Sequence, residues 1–346
     1  PENELSQVHM DIAASIQAAT EEIILKITGF LSKEFKLENL CMAGGVALNC
    51  VANGKILKDG LFKNIWIQPA SGDAGGAIGA AQIFYYQELD NKREILKTDS
   101  MKGSYLGPQF TDDQVENELK SCRANYKKLT SDEIIKVTAK ALAEEKVIGW
   151  FQGRMEFGPR SLGNRSIIAD SRSERMQKNL NLKVKYRESF RPFAPAVLFE
   201  KVSEWFEINS KSPYMLLVAD VKKSKQLQMT EQQKCLFGID KLNIKRSSIP
   251  SVTHVDYSAR IQTVHKETNP IFYRLIEEFE KITKYPILVN TSFNVRGEPI
   301  VCTATDAFNC FMGTDLDVLV CNNFILYKDD QNINLIKDYK NKYELD

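Results

Sequence analysis

Leu40-Cys41-Met42-Ala43-Gly44-Gly45-Val46-Ala47-Leu48-Asn49, followed by Asn64-Ile65-Trp66-Ile67-Gln68-Pro69-Ala70-Ser71-Gly72-Asp73 and then Gly75-Gly76-Ala77-Ile78-Gly79-Ala80-Ala81, sets the fold class of this chain. Twice a short apolar strand runs into a glycine-containing turn and on into a helix. The first strand is 40–42, with a helix expected over about 47–57. The second is 64–68, leading through the turn 69–73 to a small-residue helix expected to pack tightly. Upstream, Ile12, Ile16, Ala19, Ile23, Ile27 and Phe30 recur at three- and four-residue steps behind Asp11, a suitable N-cap. That spacing predicts a long amphipathic helix with one buried face. Helix, strand and helix in alternation indicate an α/β layer.

Residues 90–108 are polar and weakly periodic, and a domain boundary is expected there, with a first domain over 1–95 and a second over 105–346. Beyond it the pattern predicts helices at 132–145, 270–282 and 305–312. Strands are expected at 147–151, 165–170, 193–198, 285–290, 318–321 and 324–327. Residues 222–250 show no clear element and read as a long excursion or flap. The tail from Lys328 is charged.

The chain has 346 residues, enough for two domains. Lys and Arg number 46 against 45 Asp and Glu, and this balance argues against a nucleic-acid binder. No apolar run is long enough to span a bilayer, and no signal-peptide pattern is present, so no membrane association is expected. The seven cysteines are scattered without a Cys-x-x-Cys pair, which suits reduced thiols of a cytoplasmic protein. With only His9, His254 and His265, a His-rich metal site is not expected. The start at Pro1, with a helical pattern almost at once, is expected of a piece of a longer protein.

Against this balanced background one region stands out. Gly153-Arg154-Met155-Glu156-Phe157-Gly158-Pro159-Arg160-Ser161-Leu162-Gly163-Asn164-Arg165 and Lys185-Tyr186-Arg187-Glu188-Ser189-Phe190-Arg191-Pro192-Phe193-Ala194-Pro195 set six cations among glycines, prolines and aromatics. Glycines let backbone approach closely, and guanidinium forks match phosphate or carboxylate oxygens, so the pattern suits a small, multiply anionic ligand. One or two of the six are expected to be structural.

Other candidates carry two readings. Gly44-Gly45 opens a helix and suits either an anion at its N-terminus or a turn that needs small residues. Asp73 suits a metal ion or a ribose hydroxyl, though on spacing alone an N-cap is favoured. The run Asn290-Thr291-Ser292-Phe293-Asn294-Val295-Arg296-Gly297-Glu298-Pro299 crowds polar groups at a strand end, a usual ligand position in an open α/β sheet, with a self-satisfied turn as the alternative. His254-Val255-Asp256 with Arg260 reads equally as a proton carrier or a structural histidine. A Gly-x-Ser-x-Gly elbow is absent, so a hydrolase triad is not expected.

Five motifs in order, 44–49, 71–77, 158–165, 190–195 and 290–294, resemble the O-carbamoyltransferases of the nodulation-factor and antibiotic-tailoring type. The resemblance covers nearly the whole chain. It implies the C-terminal part of such an enzyme. The first module would be half of a threonylcarbamoyl-transferase-like domain of the actin and sugar-kinase (ASKHA) superfold. A YrdC-like open twisted α/β domain would follow it. The second module would convert carbamoyl phosphate and ATP, with Mg2+, to carbamoyl-adenylate. The first would pass the carbamoyl group to a hydroxyl of a sugar or natural product. Carried over by position, Arg160, Lys185, Arg191, Ser292 and Asn294 would bind carbamoyl phosphate and ATP, with Arg260 as a further candidate. Gly44, Gly45 and Asn49 would hold the adenylate, and Asp73 would bind a divalent, iron-like metal. The family's metal site also uses a His-x-x-x-His pair, and this sequence has none. The resemblance thus implies that Asp73 is an orphan ligand and that transfer needs a segment outside this sequence. The rival readings are a sugar-kinase-like enzyme, a degenerate nucleotide-binding module without turnover, and a tRNA-modifying enzyme. Phe84-Tyr85-Tyr86 offers a face for a homodimer or a packed interior.

Overall fold

A computed structural model describes residues 6–96, 98–236, 238–242, 244–335, 339, 342 and 343, without the side chains at 238 and 239. The chain divides into two compact units. One comprises residues 1–93 with Leu216–Val218, and the other Glu94–Met215 with Ala219–Asp346.

The first unit runs α1 (Gln7–Phe35), β1 (Asn39–Met42), a 3-10 turn (Gly45–Leu48), α2 (Cys50–Asp59), β2 (Asn64–Ile67) and α3 (Ala74–Ile83). β1 and β2 pair in parallel, Asn39 opposite Asn64 through Met42 opposite Ile67. Leu40, Ile56 and Phe62 form its core, with Ile24, Leu25 and Leu31 of α1 packed against them.

Three expectations are corrected here. Helix α1 begins at Gln7, ahead of Asp11, because Ser6 serves as N-cap and its N–H donates to His9 Nδ1 at 3.1 Å. The stripe read as its buried face is exposed: Ile16 and Phe30 are each 63% accessible, and Ile12, Ile23 and Ile27 are exposed too. The helix is apolar round much of its circumference, and it is the Ile24, Leu25 and Leu31 side that meets the core. The small-residue helix α3 has no buried residue among those described. Small side chains permit close packing, and a Cβ on Gly75 would lie 2.3 Å from Ala70 O, but Gly76 and Gly79 have open space beside them.

In the second unit the helices are α4 (Asp112–Ser121), α5 (Ser131–Ala143), α6 (Met176–Asn179), α7 (Val202–Trp205), α8 (Glu231–Lys234), α9 (Gly238–Leu242), α10 (Pro270–Thr283) and α11 (Ala304–Met312). The strands are β3 (Lys127–Lys128), β4 (Ile148–Phe151), β5 (Arg165–Asp170), β6 (Ala194–Leu198), β7 (Leu217–Asp220, whose first two residues are grouped with the first unit), β8 (Ser258–Val264), β9 (Ile287–Ser292), β10 (Val318–Cys321) and β11 (Phe324–Tyr327). They form one nine-stranded sheet in the order β3-β11-β10-β4-β5-β9-β6-β8-β7. The sheet is mixed: β4–β10 and β6–β8 are parallel, while β9 is antiparallel to both β5 and β6. The fold is therefore mixed α/β with a large mixed sheet.

Local chemistry explains the two helices that cover the core. Thr130 and Glu133 cap α5 reciprocally. Asn269 caps α10 ahead of Pro270, whose missing N–H costs nothing in the first turn. Phe272, Leu275, Ile276 and Phe279 then fall on one face of α10 and are fully buried with Ile134 and Leu142 of α5 and Ile168, Leu198 and Leu288 of the sheet. Burial of each such side chain contributes about 1.5–3 kcal/mol. Two boundaries differ from expectation. Residues 222–250 hold α8, α9 and a bridge from Gln226 to Ser247 in place of an element-free flap. Strand β9 extends to Ser292, so Thr291 and Ser292, expected in the turn, lie in the sheet.

Among the described residues no helix is long and apolar enough to cross a membrane. All seven cysteines are free.

Candidate functional site

The central strands change character along their length. On β9, Leu288, Asn290 and Ser292 share a face by strand alternation. Leu288 belongs to the core, while the next two positions are polar. On β8, Val264, Gln262 and Arg260 repeat the change. The apolar half of this face is covered by α5 and α10, and the polar half meets the loop 156–165.

Buried Glu156 shapes that loop. Its Oε1 accepts from Leu162 N at 2.6 Å, Asn164 N at 2.8 Å and Arg165 N at 3.4 Å. Burial pushes its carboxyl group up, against the pull of these amides. Gly158 and Gly163 take φ values of 138° and 110°, which favour glycine, and a Cβ on Gly163 would lie 2.3 Å from Phe272. The Leu162 carbonyl accepts from Tyr105 Oη at 2.8 Å and from Gln262 Nε2 at 2.7 Å. The loop carrying Arg160 is thus pinned from several sides.

The other cations divide into two groups. Arg165 is structural. It is fully buried, its guanidinium lies 3.6 Å from the Phe151 ring centroid, and it donates to the carbonyls of Gln152 at 2.8 Å and Asn164 at 3.0 Å. Burial lowers it to about 10. Arg154, exposed, donates to Gly107 O at 3.1 Å.

The second group converges. Lys185 Nζ donates to Asn294 Oδ1 at 2.7 Å, Asn294 O at 2.8 Å, Ser292 Oγ at 3.1 Å and the Ser292 carbonyl. Burial, with Arg187 adding repulsion, brings its ammonium down to about 7, while the surrounding oxygens favour the charged form. Arg187 donates to the neutral Asn181 amide at 2.8 Å and lies over Phe193. Burial lowers it to about 10, and Arg191 and Arg260 stand close enough to add repulsion. Arg191 and Arg296 share Glu188, at 2.9 Å and 3.8 Å. Glu298 steadies the same loop by accepting from Val295 N at 2.8 Å and from Tyr339 and Tyr343 hydroxyls. Like charges crowded around Gly/Pro-rich turns make a site whose electrostatic complement is an anion.

Of the residues singled out in the sequence, the structure brings together Lys185, Ser292 and Asn294 by direct bonds, and Arg191 and Arg260 around Arg187. Arg160 sits half-buried on the pinned loop. At the His254-Asp256 pair, Asp256 Oδ1 accepts from Ser258 N and Oγ at 3.0 and 2.7 Å, and burial lowers His254 against the pull of Asp256. Glu156, Gln262 and the side chain of Asn290 were not singled out. Their signal is an isolated polar residue inside an apolar run, as in Ile261-Gln262 and Leu288-Val289-Asn290. A cavity of about 920 Å3 is lined by Lys146, Lys183, Tyr186, Asp317, Lys328 and Tyr339, the last of which donates to Glu298, and it holds ion pairs such as Lys146–Asp317 at 3.5 Å.

In the first unit, Gly44 has φ 96° and Gly45 opens the 3-10 turn. Asn49 caps α2 by accepting from Ala52 N at 3.1 Å and pairs with Gln17. Asp73 stands at the start of α3, and its side chain makes no cap bond, so the N-cap reading is corrected. Among the described residues no group of three or more His, Cys, Asp or Glu could hold a metal ion. Asp73, the one residue expected to bind the iron-like metal, belongs to no such group.

Comparison with known proteins adds to this geometry. The carbamoyltransferase C-terminus family model matches residues 139–328, and the carbamoyltransferase N-terminus family model matches residues 2–82. An uncharacterised protein of Synechocystis sp. is 59% identical over 330 residues, 95% of this chain and 54% of that protein. Nodulation protein NolO of Bradyrhizobium diazoefficiens is 41% identical over 93% of this chain and 55% of its own length. Nodulation protein NolNO of Sinorhizobium fredii is 39% identical over 93% of this chain and 45% of its own length. The chain spans about half the length of the curated relatives it matches.

Proposed function

Because the chain belongs to the carbamoyltransferase family, we propose that its second unit forms carbamoyl-adenylate from carbamoyl phosphate and ATP, for later transfer of the carbamoyl group to a hydroxyl acceptor. The observation that carries this reading is the convergence of Lys185, Arg187, Arg191, Arg260 and Arg296 beside Ser292 and Asn294 at the polar end of the sheet. Both substrates are polyanions, and fixed cations offset the charge that builds on a departing pyrophosphate. For atoms to balance, carbamoyl phosphate first loses its phosphoryl group to water as inorganic phosphate. The carbamate oxygen then attacks the α-phosphorus of ATP, and pyrophosphate leaves. Mg2+ would enter as the counter-ion of the nucleotide. An acceptor hydroxyl, of a sugar or natural product, would then attack the carbamoyl carbon and release AMP. We read the first unit as part of an actin/sugar-kinase-like transfer domain and the second as YrdC-like.

In this scheme Arg191 and Arg260 hold phosphate oxygens. Lys185 fixes the Ser292 to Asn294 turn, in which the Ser292 hydroxyl donates to Asn294 Oδ1 at 2.7 Å and Asn294 Nδ2 donates to Glu298 O at 2.6 Å. Arg191→Ala is the cleaner test, because its side chain is 45% exposed and its removal leaves the core intact. Carbamoyl-phosphate-dependent pyrophosphate release should be abolished in Arg191→Ala and in Lys185→Ala, and near-normal turnover in both would sink the assignment. A second reading, a nucleotide-binding module without turnover, is favoured by the four oxygens that already surround the Lys185 ammonium. Under it ATP binds and pyrophosphate is never released.

A further inference from the structure

We infer that Ser161 and Asn290 form a recognition point for the carbamoyl end of the donor, which admits an NH2-bearing group and rejects its methyl isostere. The inference rests on the carbamoyl phosphate reading of the neighbouring cations.

Asn290 is fully buried, and its orientation is fixed. Its Nδ2 donates to Ser161 O at 3.1 Å and to Gln262 Oε1 at 2.6 Å. Gln262 in turn donates to Leu162 O at 2.7 Å. Turning the Asn290 amide over would set its oxygen against two acceptors. Its Oδ1 is therefore held as a free acceptor, and it has no hydrogen-bond partner. The hydroxyl of Ser161, the residue whose carbonyl Asn290 binds, is likewise buried and without a partner. Buried polar groups in folded proteins are nearly always paired, and an unpaired one lowers stability. Two on adjoining residues, within a network otherwise satisfied, point to a polar ligand.

Position says which ligand. Asn290 is the same-face neighbour of Ser292 on β9, and Gln262 is the same-face neighbour of Arg260 on β8, one step of about 7 Å. The pair thus adjoins the cations on the side of the pinned loop. A donor with its phosphate among the arginines would set its neutral end against Ser161 and Asn290. A carbamoyl NH2 carries two N–H groups, which donate to Asn290 Oδ1 and to the Ser161 hydroxyl oxygen. An acetyl group would turn a methyl toward Oδ1 and leave it unpaired, and a carboxylate oxygen would be repelled. Sites built to bond a substrate N–H discriminate strongly against analogues that lack it.

Ser161→Ala gives the sharpest test, because the hydroxyl it removes bonds nothing inside the protein. Its melting temperature should hold or rise. Its kcat/KM for carbamoyl phosphate in pyrophosphate release should fall about tenfold, and the preference over acetyl phosphate should shrink by the same factor. Asn290→Leu should lower the preference further, provided it folds. An unchanged preference in Ser161→Ala, or a loss of turnover equal for both donors, overturns the subsite even where the wild type is active. If the wild type releases no pyrophosphate with either donor, the adenylate reading falls. The subsite is then judged by the ratio of Kd for carbamoyl phosphate and acetyl phosphate, measured by competition against bound inorganic phosphate. A ratio that Ser161→Ala leaves unaltered overturns it there as well.

Discussion

The two units treat apolar helices in opposite ways. In the second, Phe272, Leu275, Ile276 and Phe279 of α10 are fully buried. In the first, α1 carries Ile12, Ile16, Ile23, Ile27 and Phe30 at similar spacing and leaves them exposed, while Glu21 and Thr28 are buried. Periodicity states that a helix has an apolar stripe. It does not state that a matching surface lies opposite. The second unit supplies that surface from its own sheet, and it is on the second unit that the cation site is built.

Core truncation should separate the units most. Phe272→Ala should cost about 3–5 kcal/mol in chemical denaturation, whereas Ile16→Ala should stay within about 0.5 kcal/mol. Equal losses would break the comparison. Glycine replacements sharpen it. Gly163→Ala meets both a positive φ and the Phe272 ring, and should destabilise by about 1–3 kcal/mol while loosening the loop of Arg160. Gly79→Ala in α3 meets nothing within 4 Å, and should stabilise by about 0.5–1 kcal/mol.

Lys185 provides a smaller, pH-dependent contrast. Its folded value is lowered from 10.5 to about 7, so between these values the unfolded chain holds a proton that the folded chain has released. Raising the pH across that window should therefore stabilise the wild type relative to Lys185→Met, and the penalty of burying the charge is fully present below about 7. Melting temperatures of both proteins at several pH values check this. A constant difference would mean that the oxygen cage keeps the ammonium charged. The smallest effect is expected from Glu188→Gln, which removes the carboxylate shared by Arg191 and Arg296. KM for carbamoyl phosphate should fall by about twofold to threefold at low salt and recover at high salt.

Much of the second unit was legible. The strands 318–321 and 324–327 match the structure to the residue, because each is a short apolar run closed by the Asn322-Asn323 turn or by charged residues. What a linear pattern could not give is pairing. An α/β alternation suggests parallel strands, yet β9 sits antiparallel between β5 and β6, and only tertiary contact reveals it. The cation cluster was visible as composition, but not the sorting of Arg165 to a stack on Phe151 and of Arg187 to the group around Asn181 and Arg191. Glu156 and Gln262 escaped notice because each acts on loop amides and carbonyls remote in sequence or hidden in a turn. The exposed stripe of α1 was misread for the reason the two units illustrate.

The central claim is the adenylate-forming half-reaction of the second unit. Exchange of labelled pyrophosphate into ATP, with Mg2+ and with or without carbamoyl phosphate, tests it most directly. Exchange that appears only with carbamoyl phosphate, and is lost in Arg191→Ala, is the expected result. Absence of exchange from a folded chain that still binds ATP would contradict the claim and leave a nucleotide-binding module.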